Sequence, residues 1–171
     1  MAKEYDVIVV GSGNAGFSAA VSSKENGAKD VLLIDKCPKE WAGGNTAFTA
    51  GAYRTAFYGL NDVLPIVENV DAETAKKIDM DPYTEEDFWN DLMRVTNGKA
   101  NPKLGRVMVN ESRETIKWLA KNGIRFVLSF NRQAYNVDGR FKFWGGMVLA
   151  VHNGGKGLIE QHTAAAQKAG V

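Results

Sequence analysis

Two short runs of aliphatic residues mark the beginning of the chain. Val7-Ile8-Val9-Val10 and Val31-Leu32-Leu33-Ile34 contain no polar alternation, which predicts strands buried on both faces. Between them, residues 14–26 are small or polar at helix-compatible spacing, and Gly27 supplies a helix stop. A strand, a helix and a second strand within so short a stretch predict a right-handed βαβ unit with parallel strands.

The central part of the chain predicts a loop followed by helices. Residues 36–59 indicate a loop with a short helix, and residues 60–83 are polar and irregular. Thr84 begins a capping-box pattern ahead of a first amphipathic helix, and Pro102 begins a second helix that Gly123 terminates. The apolar face predicted for the second helix consists of Leu104, Met108, Ile116 and Leu119.

The last part of the chain predicts strands and a closing helix. Residues 124–151 are aromatic-rich and strand-prone, with Asp138-Gly139 as a hairpin turn. Residues 157–169 predict a helix capped by Gly170, and Val171 resembles the first residue of another strand. We therefore expect an incomplete Rossmann-type α/β domain. Its segments are residues 1–59, a helical insertion at 60–123 and a return to the sheet at 124–171.

Composition narrows the class of protein. Hydrophobic residues make up 44% and charged residues 24% of the chain, and the formal net charge of +1 gives no sign of nucleic-acid binding. The single cysteine, Cys37, excludes a disulfide scaffold, and neither His152 nor His162 has a partner at metal-ligand spacing. We therefore expect no metal site and interpret both histidines as polar surface residues or as hydrogen-bonded residues. The absence of a transmembrane-length run and of a signal-peptide core predicts a cytoplasmic location.

A glycine motif follows the first predicted strand. Gly11-Ser12-Gly13-Asn14-Ala15-Gly16 has the form G-x-G-x-x-G and opens the predicted helix. Its glycines permit a tight turn, close approach of a pyrophosphate and close helix–sheet packing, whereas Ser12 is expected to contribute mainly backbone. Asp35 ends the second strand, where its carboxylate can accept hydrogen bonds from ribose hydroxyls. This context predicts a dinucleotide site and leaves FAD and NAD(P) open; a glycine-rich turn without a ligand is the alternative.

A second glycine cluster favours a flavin. The run from Gly43 to Gly51 is rich in small and hydroxyl-bearing residues, where a simple NAD domain would have another helix and strand. Such a loop lets the backbone approach a second flat, phosphate-linked group. A flexible surface loop is the alternative interpretation.

With these motifs the chain resembles the FAD-binding region of the fumarate reductase/succinate dehydrogenase flavoprotein superfamily. Within it, the chain is most similar to the FAD-dependent tricarballylate dehydrogenases. The matching segments keep their order along the chain. They are residues 11–16, 40–46, 83–92, 94–96, 118–126 and 154–158.

The resemblance implies an FAD site and a reaction. The implied cofactor-binding residues are Gly11, Ser12, Gly13, Asn14, Ala15, Gly16, Asp35, Lys36, Gly43, Gly44, Asn45, Thr46 and Gly51. Asp35 stands where the superfamily more often has Glu. Covalent members carry a histidine where this chain has Asn45, so the resemblance implies non-covalent FAD.

The implied chemistry is hydride transfer between the flavin and a C–C bond of a small di- or tricarboxylate. The superfamily's capping domain and its catalytic His and Arg residues lie beyond the matched region. We therefore expect an N-terminal part of a larger enzyme, inactive alone, and assign no catalytic residue and no electron acceptor. A stand-alone FAD-binding module without catalysis and an NAD(P)-binding Rossmann protein remain open alternatives.

Overall fold

The computed structural model describes residues 3–171, which form two compact units. The first unit contains the described residues up to Gly51, together with Asn122–Ile124 and Val151–Val171. The second contains Ala52–Lys121 and Arg125–Ala150. Within residues 3–171, none of the helices is both long and apolar enough to cross a lipid bilayer.

The first unit begins with the predicted βαβ arrangement. Strands β1 (Val7–Val10) and β2 (Val31–Ile34) pair in parallel, and helix α1 (Asn14–Glu25) connects them. The predicted α/β fold and both strand boundaries are thus confirmed. Burial on both faces was wrong, because Ile8 and Val10 are 57% and 76% exposed. Successive side chains of a strand point to opposite faces, and α1 covers only one of them.

The closing helix completes the first unit. Helix α8 (Gly154–Ala169) packs against α1 and against the 3₁₀ helix Gly44–Phe48, which follows another 3₁₀ turn at Lys39–Trp41. Gly155 makes this packing possible, because a Cβ there would lie 2.2 Å from the carbonyl oxygen of Thr46. The buried side chains of α1 and α8 are Phe17, Ala20, Val21, Leu158, His162, Ala165 and Ala166.

The second unit contains two three-stranded sheets. One has the order β3 (Ala52–Tyr53), β8 (Leu149–Val151), β5 (Phe126–Leu128); the other has the order β4 (Ile78–Met80), β7 (Arg140–Phe143), β6 (Ala134–Val137). Strands β6 and β7 form the predicted hairpin, with positive φ at Asp138 and Gly139. The expected return of residues 124–171 to the first sheet is therefore corrected for these strands. Strands β6 and β7 pair in a hairpin and β8 pairs with β3, so these strands lie in other sheets, whereas Asn122–Ile124 and α8 belong to the first unit.

Helices supply the remainder of the second unit. They are α2 (Leu60–Val63), a 3₁₀ turn at Leu64–Ile66, α3 (Ala72–Ala75), α4 (Glu85–Val95), α5 (Pro102–Asn110), α6 (Ser112–Lys121) and α7 (Phe130–Gln133). The capping box at Thr84 is confirmed, since its side chain accepts the N–H of Asp87. Residues 60–83 are more regular than expected, because they contain two short helices and β4.

The predicted helix from Pro102 to Gly123 is two helices, α5 and α6, which are interrupted at Glu111. Its predicted apolar face was half wrong. Ile116 and Leu119 are buried, whereas Leu104 and Met108 are 70% and 48% exposed. The interruption breaks the continuous helical phase, and α5 buries Gly105 and Val109 instead.

Candidate functional site

The glycine motif forms a tight turn between β1 and α1. Gly11 has φ +107°, and its N–H donates to the carbonyl oxygen of Ile34 at 2.7 Å. A Cβ on Gly16 would lie 1.8 Å from the carbonyl oxygen of Gly11. The chain therefore folds back onto the first turn of α1 so closely that position 16 has no space for a side chain.

The N-cap residue of α1 provides no side-chain cap. Gly13 is the N-cap residue, and the first turn carries no acidic side chain. Helix geometry leaves the N–H groups of Ala15 and Gly16 without an intrahelical acceptor. Ala15 is exposed at this end. The positive end of the helix is thus not neutralised by the helix itself, which is the arrangement that binds phosphate groups.

The Ser12 hydroxyl links three segments of the chain, so the expectation of a mainly backbone role was wrong. Ser12 Oγ donates to Asp35 Oδ2 at 2.6 Å and accepts the N–H of Gly43 at 3.2 Å. The Ser12 N–H also donates to Asp35 Oδ2, at 2.8 Å. Ser12 is 7% exposed, so water does not readily replace these partners.

The Asp35 carboxylate is engaged within the protein. Besides the two donors from Ser12, its Oδ1 accepts the N–H of Cys37 at 2.9 Å. These hydrogen bonds, that of the Ser12 hydroxyl above all, hold the pKa of the Asp35 carboxyl well below its usual range. Asp35 is therefore ionised across the physiological pH range. Lys36 follows it on the exposed surface.

The second glycine cluster lies beside the first. Thr46 Oγ1 accepts the N–H of Asn14 at 3.1 Å. Gly43 has φ +105°, and a Cβ there would lie 2.7 Å from Cγ1 of Ile159 on α8. Gly44 and Asn45 are exposed on the 3₁₀ helix. The structure thus brings the two predicted loops together through Ser12, Gly43 and Thr46.

Gly51 ends the second cluster in a packing contact. A Cβ on Gly51 would lie 2.9 Å from Cα of Gly154, at the start of α8, and φ is +73°. Its carbonyl oxygen accepts the N–H of Val151 at 2.8 Å. Gly51 therefore lets the loop meet the start of α8.

The space at Gly13 fits a phosphate-linked ligand. A Cβ placed on Gly13 would lie 3.4 Å from Thr46 Oγ1 and 3.6 Å from the Gly43 carbonyl oxygen, which is ordinary contact. A single added carbon would thus occupy the space between the two loops at the start of α1. The N–H groups of this helix end are the kind of donor that a dinucleotide pyrophosphate uses.

One buried residue near the motif escaped sequence reasoning. His162 on α8 is 2% exposed, and its ring nitrogen Nε2 lies 2.7 Å from Asn14 Oδ1. Burial lowers the pKa of His162 to about 4. Of the two interpretations of this histidine, the structure supports the hydrogen-bonded residue and not the surface residue, and the sequence did not indicate that its partner lies in the glycine motif.

The family of the chain follows from comparison with known proteins. The model of the FAD binding domain family matches residues 6–169. The chain belongs to this family. FAD is therefore the cofactor that the fold and its family indicate, and the expected superfamily resemblance is confirmed.

Several known proteins are similar to the chain. The fumarate reductase (cytochrome) of Shewanella frigidimarina is 36% identical over 118 residues, which cover 69% of this chain and 18% of that protein. The NADH:fumarate oxidoreductase of Klebsiella pneumoniae is 33% identical over 122 residues, which cover 71% of this chain and 11% of that protein. The chain thus spans less than a fifth of these relatives.

A solved structure shows the same fold. The 3-ketosteroid-Δ4-(5α)-dehydrogenase of Rhodococcus jostii RHA1 aligns with a TM-score of 0.63 at 19% identity. The alignment covers 100% of this chain and 38% of that structure's chain.

Replacing Ser12 with alanine should lower the free energy of unfolding by about 1–3 kcal/mol, because the buried N–H of Gly43 would lose its acceptor. Urea denaturation of the apoprotein measures this effect. The matched control is Ser23→Ala on α1, where the hydroxyl donates only to the Ala19 carbonyl oxygen. We expect the control to change stability by less than about 0.5 kcal/mol. Equal effects of the two substitutions would contradict the linking role of Ser12.

Proposed function

We propose that the two glycine loops of the first unit form the FAD site of this protein. The proposed FAD-binding residues lie in three segments of the chain: the glycine motif, the end of β2 and the second glycine cluster. They are Gly11, Ser12, Gly13, Asn14, Ala15, Gly16, Asp35, Lys36, Gly43, Gly44, Asn45, Thr46 and Gly51. The observation that carries the proposal is the space at Gly13, bounded by Thr46 Oγ1 and the Gly43 carbonyl oxygen.

Each part of this site has a distinct task. The N–H groups of Ala15 and Gly16 at the start of α1 would bind the pyrophosphate, since this helix end is positive and the N-cap residue provides no side-chain cap. Asp35 Oδ1, which accepts one N–H from Cys37, would take a ribose hydroxyl, because a carboxylate oxygen can accept more than one hydrogen bond. Ser12 and Thr46 hold the second cluster beside the first through the protein's own hydrogen bonds.

FAD should be bound non-covalently. Asn45 stands where covalent members of the superfamily carry histidine, and an amide does not form the histidyl–flavin bond. Acid precipitation of the purified holoprotein should therefore release all flavin into the supernatant. Yellow colour that stays with the denatured pellet would contradict this prediction.

The activity we propose for the whole protein is that of an FAD-dependent oxidoreductase acting on a C–C bond of a small di- or tricarboxylate. Bound FAD supplies hydride transfer at its N5 position. The residues of this chain bind and orient the cofactor. The proposal is supported by relatives named as fumarate reductases at 36% and 33% identity and by the resemblance to tricarballylate dehydrogenases.

Tricarballylate is the first substrate to test, with succinate and fumarate as the second pair. Anaerobic addition of tricarballylate to the intact holoprotein should bleach the flavin absorbance. Bleaching by succinate alone would reassign the substrate within the superfamily. A yellow protein that neither tricarballylate nor succinate reduces, and whose chemically reduced flavin fumarate does not reoxidise, would contradict the proposed reaction and favour a binding module.

A further inference from the structure

A histidine from the far end of the chain is bound to the glycine motif. His162 lies on α8, and its ring stacks on Phe17 of α1 with centroids 5.4 Å apart and an interplanar angle of 3°. Its Nε2 atom meets Asn14 Oδ1 at 2.7 Å. Phe17 and Asn14 occupy the first turn of α1, so the histidine contacts the same turn through stacking and through a hydrogen bond.

The protonation state of this histidine determines which way the hydrogen bond runs. The ring is 2% exposed, and burial lowers its pKa to about 4, so it is neutral at physiological pH. A neutral imidazole carries one N–H, and the carbonyl oxygen of an amide only accepts. The contact with Asn14 Oδ1 therefore requires the proton of His162 on Nε2.

The orientation of the Asn14 amide matters because its two ends are electrostatically opposite. Oδ1 would repel a phosphate oxygen, whereas the Nδ2 hydrogens would donate to it. We propose that His162 is a positioning residue for FAD: it donates to Oδ1 of Asn14 and so fixes the orientation of the Asn14 side chain at the start of α1, where the pyrophosphate would bind. This inference rests on the proposed placement of Asn14 in the FAD site.

The test measures the dissociation constant of FAD for the intact apoprotein with four variants. His162→Leu retains an apolar side chain beside Phe17 but removes the donor, and should weaken FAD binding roughly tenfold, the effect of one hydrogen bond near a charged ligand. His162→Gln places an N–H group at a similar distance and should restore affinity to within about threefold. His162→Asn is polar but too short to reach Asn14, and should behave like His162→Leu. His152→Leu serves as a control and should not change FAD affinity.

The Asn14→Ala background separates positioning from packing. There, His162→Leu should cause no further loss of FAD affinity, because the group that it orients is gone. Equal losses in the Leu and Gln variants that persist in the Asn14→Ala background would overturn the inference in favour of helix packing. Urea denaturation of each apoprotein checks folding; if His162→Leu does not fold, the comparison of Gln with Asn decides.

Failure of the inference and failure of the proposed site give different results. If Asn14→Ala binds FAD like the wild type while Gly13→Val does not bind it, the result supports the proposed FAD site and contradicts the positioning role of His162. If neither substitution changes the affinity for FAD, the result contradicts the proposed FAD site as well. The ¹⁵N NMR spectrum of the apoprotein gives an independent readout, since His162 should be the Nε2–H tautomer, and an Nδ1–H tautomer would overturn the inference.

Discussion

Replacing Gly13 with valine should abolish FAD binding and leave the apoprotein folded. Gly13 has φ −81° and ψ −179°, an extended conformation that β-branched residues adopt readily. An added Cβ would make only ordinary contacts, at 3.4 Å from Thr46 Oγ1 and 3.6 Å from the Gly43 carbonyl oxygen. The Cβ itself would therefore fit the protein, and the valine side chain would block the approach of a pyrophosphate to this turn.

The expected loss of FAD affinity is at least ~100-fold, because the variant removes several hydrogen bonds between backbone N–H groups and charged phosphate oxygens. Flavin titration of the intact apoprotein measures the affinity, and urea denaturation measures stability. Ala19→Val is the matched control, since it places the same side chain on an exposed position of α1. FAD binding by Gly13→Val at wild-type affinity would contradict the proposal that the pyrophosphate binds at this loop.

Replacing Gly16 with alanine should damage the fold itself. The added Cβ would lie 1.8 Å from the Gly11 carbonyl oxygen and 3.0 Å from its carbonyl carbon, so backbone must move. We expect the free energy of unfolding of the apoprotein to fall by about 3 kcal/mol or more, the upper range of overpacked substitutions. FAD affinity should fall with it, because Gly11 and Gly16 shape the same turn.

Gly27→Ala is the control for Gly16→Ala. Gly27 has φ +99°, and a Cβ there would meet nothing within 4 Å, so only backbone strain of about 1–2 kcal/mol applies. Urea denaturation of both variants should place Gly16→Ala well below Gly27→Ala in stability. Equal stabilities would show that the close approach of Gly11 to Gly16 is relaxed in solution.

Local sequence patterns predicted the elements that carry the glycine motif. Uninterrupted aliphatic runs predicted the boundaries of β1 and β2. The glycine motif predicted the start of α1, because its glycines permit a tight turn within a few residues. The second predicted helix shows the limit of such patterns. Glu111 interrupts it without any glycine or proline nearby to signal a break, so the apolar spacing of Leu104 and Met108 suggested burial that does not occur.

The side chains that organise the site could not be predicted in the same way. Ser12 meets Asp35 and Gly43, and Asn14 meets His162, through contacts between segments far apart in sequence. Periodicity and motif spacing carry no information about such pairings. Serine at the second position of the motif and a single histidine in an alanine-rich helix are both common without a special role, and only the packing of α8 on α1 gives the histidine its partner.

The most direct test of the central claim is a crystal structure of the intact protein with FAD bound. The pyrophosphate oxygens should lie within hydrogen-bonding distance, ~3 Å, of backbone N–H groups at Gly13–Gly16. Thr46 and Gly43 should lie beside Gly13 in that structure too. A pyrophosphate located away from the N-terminus of α1 would contradict the assignment of this loop as the FAD phosphate site.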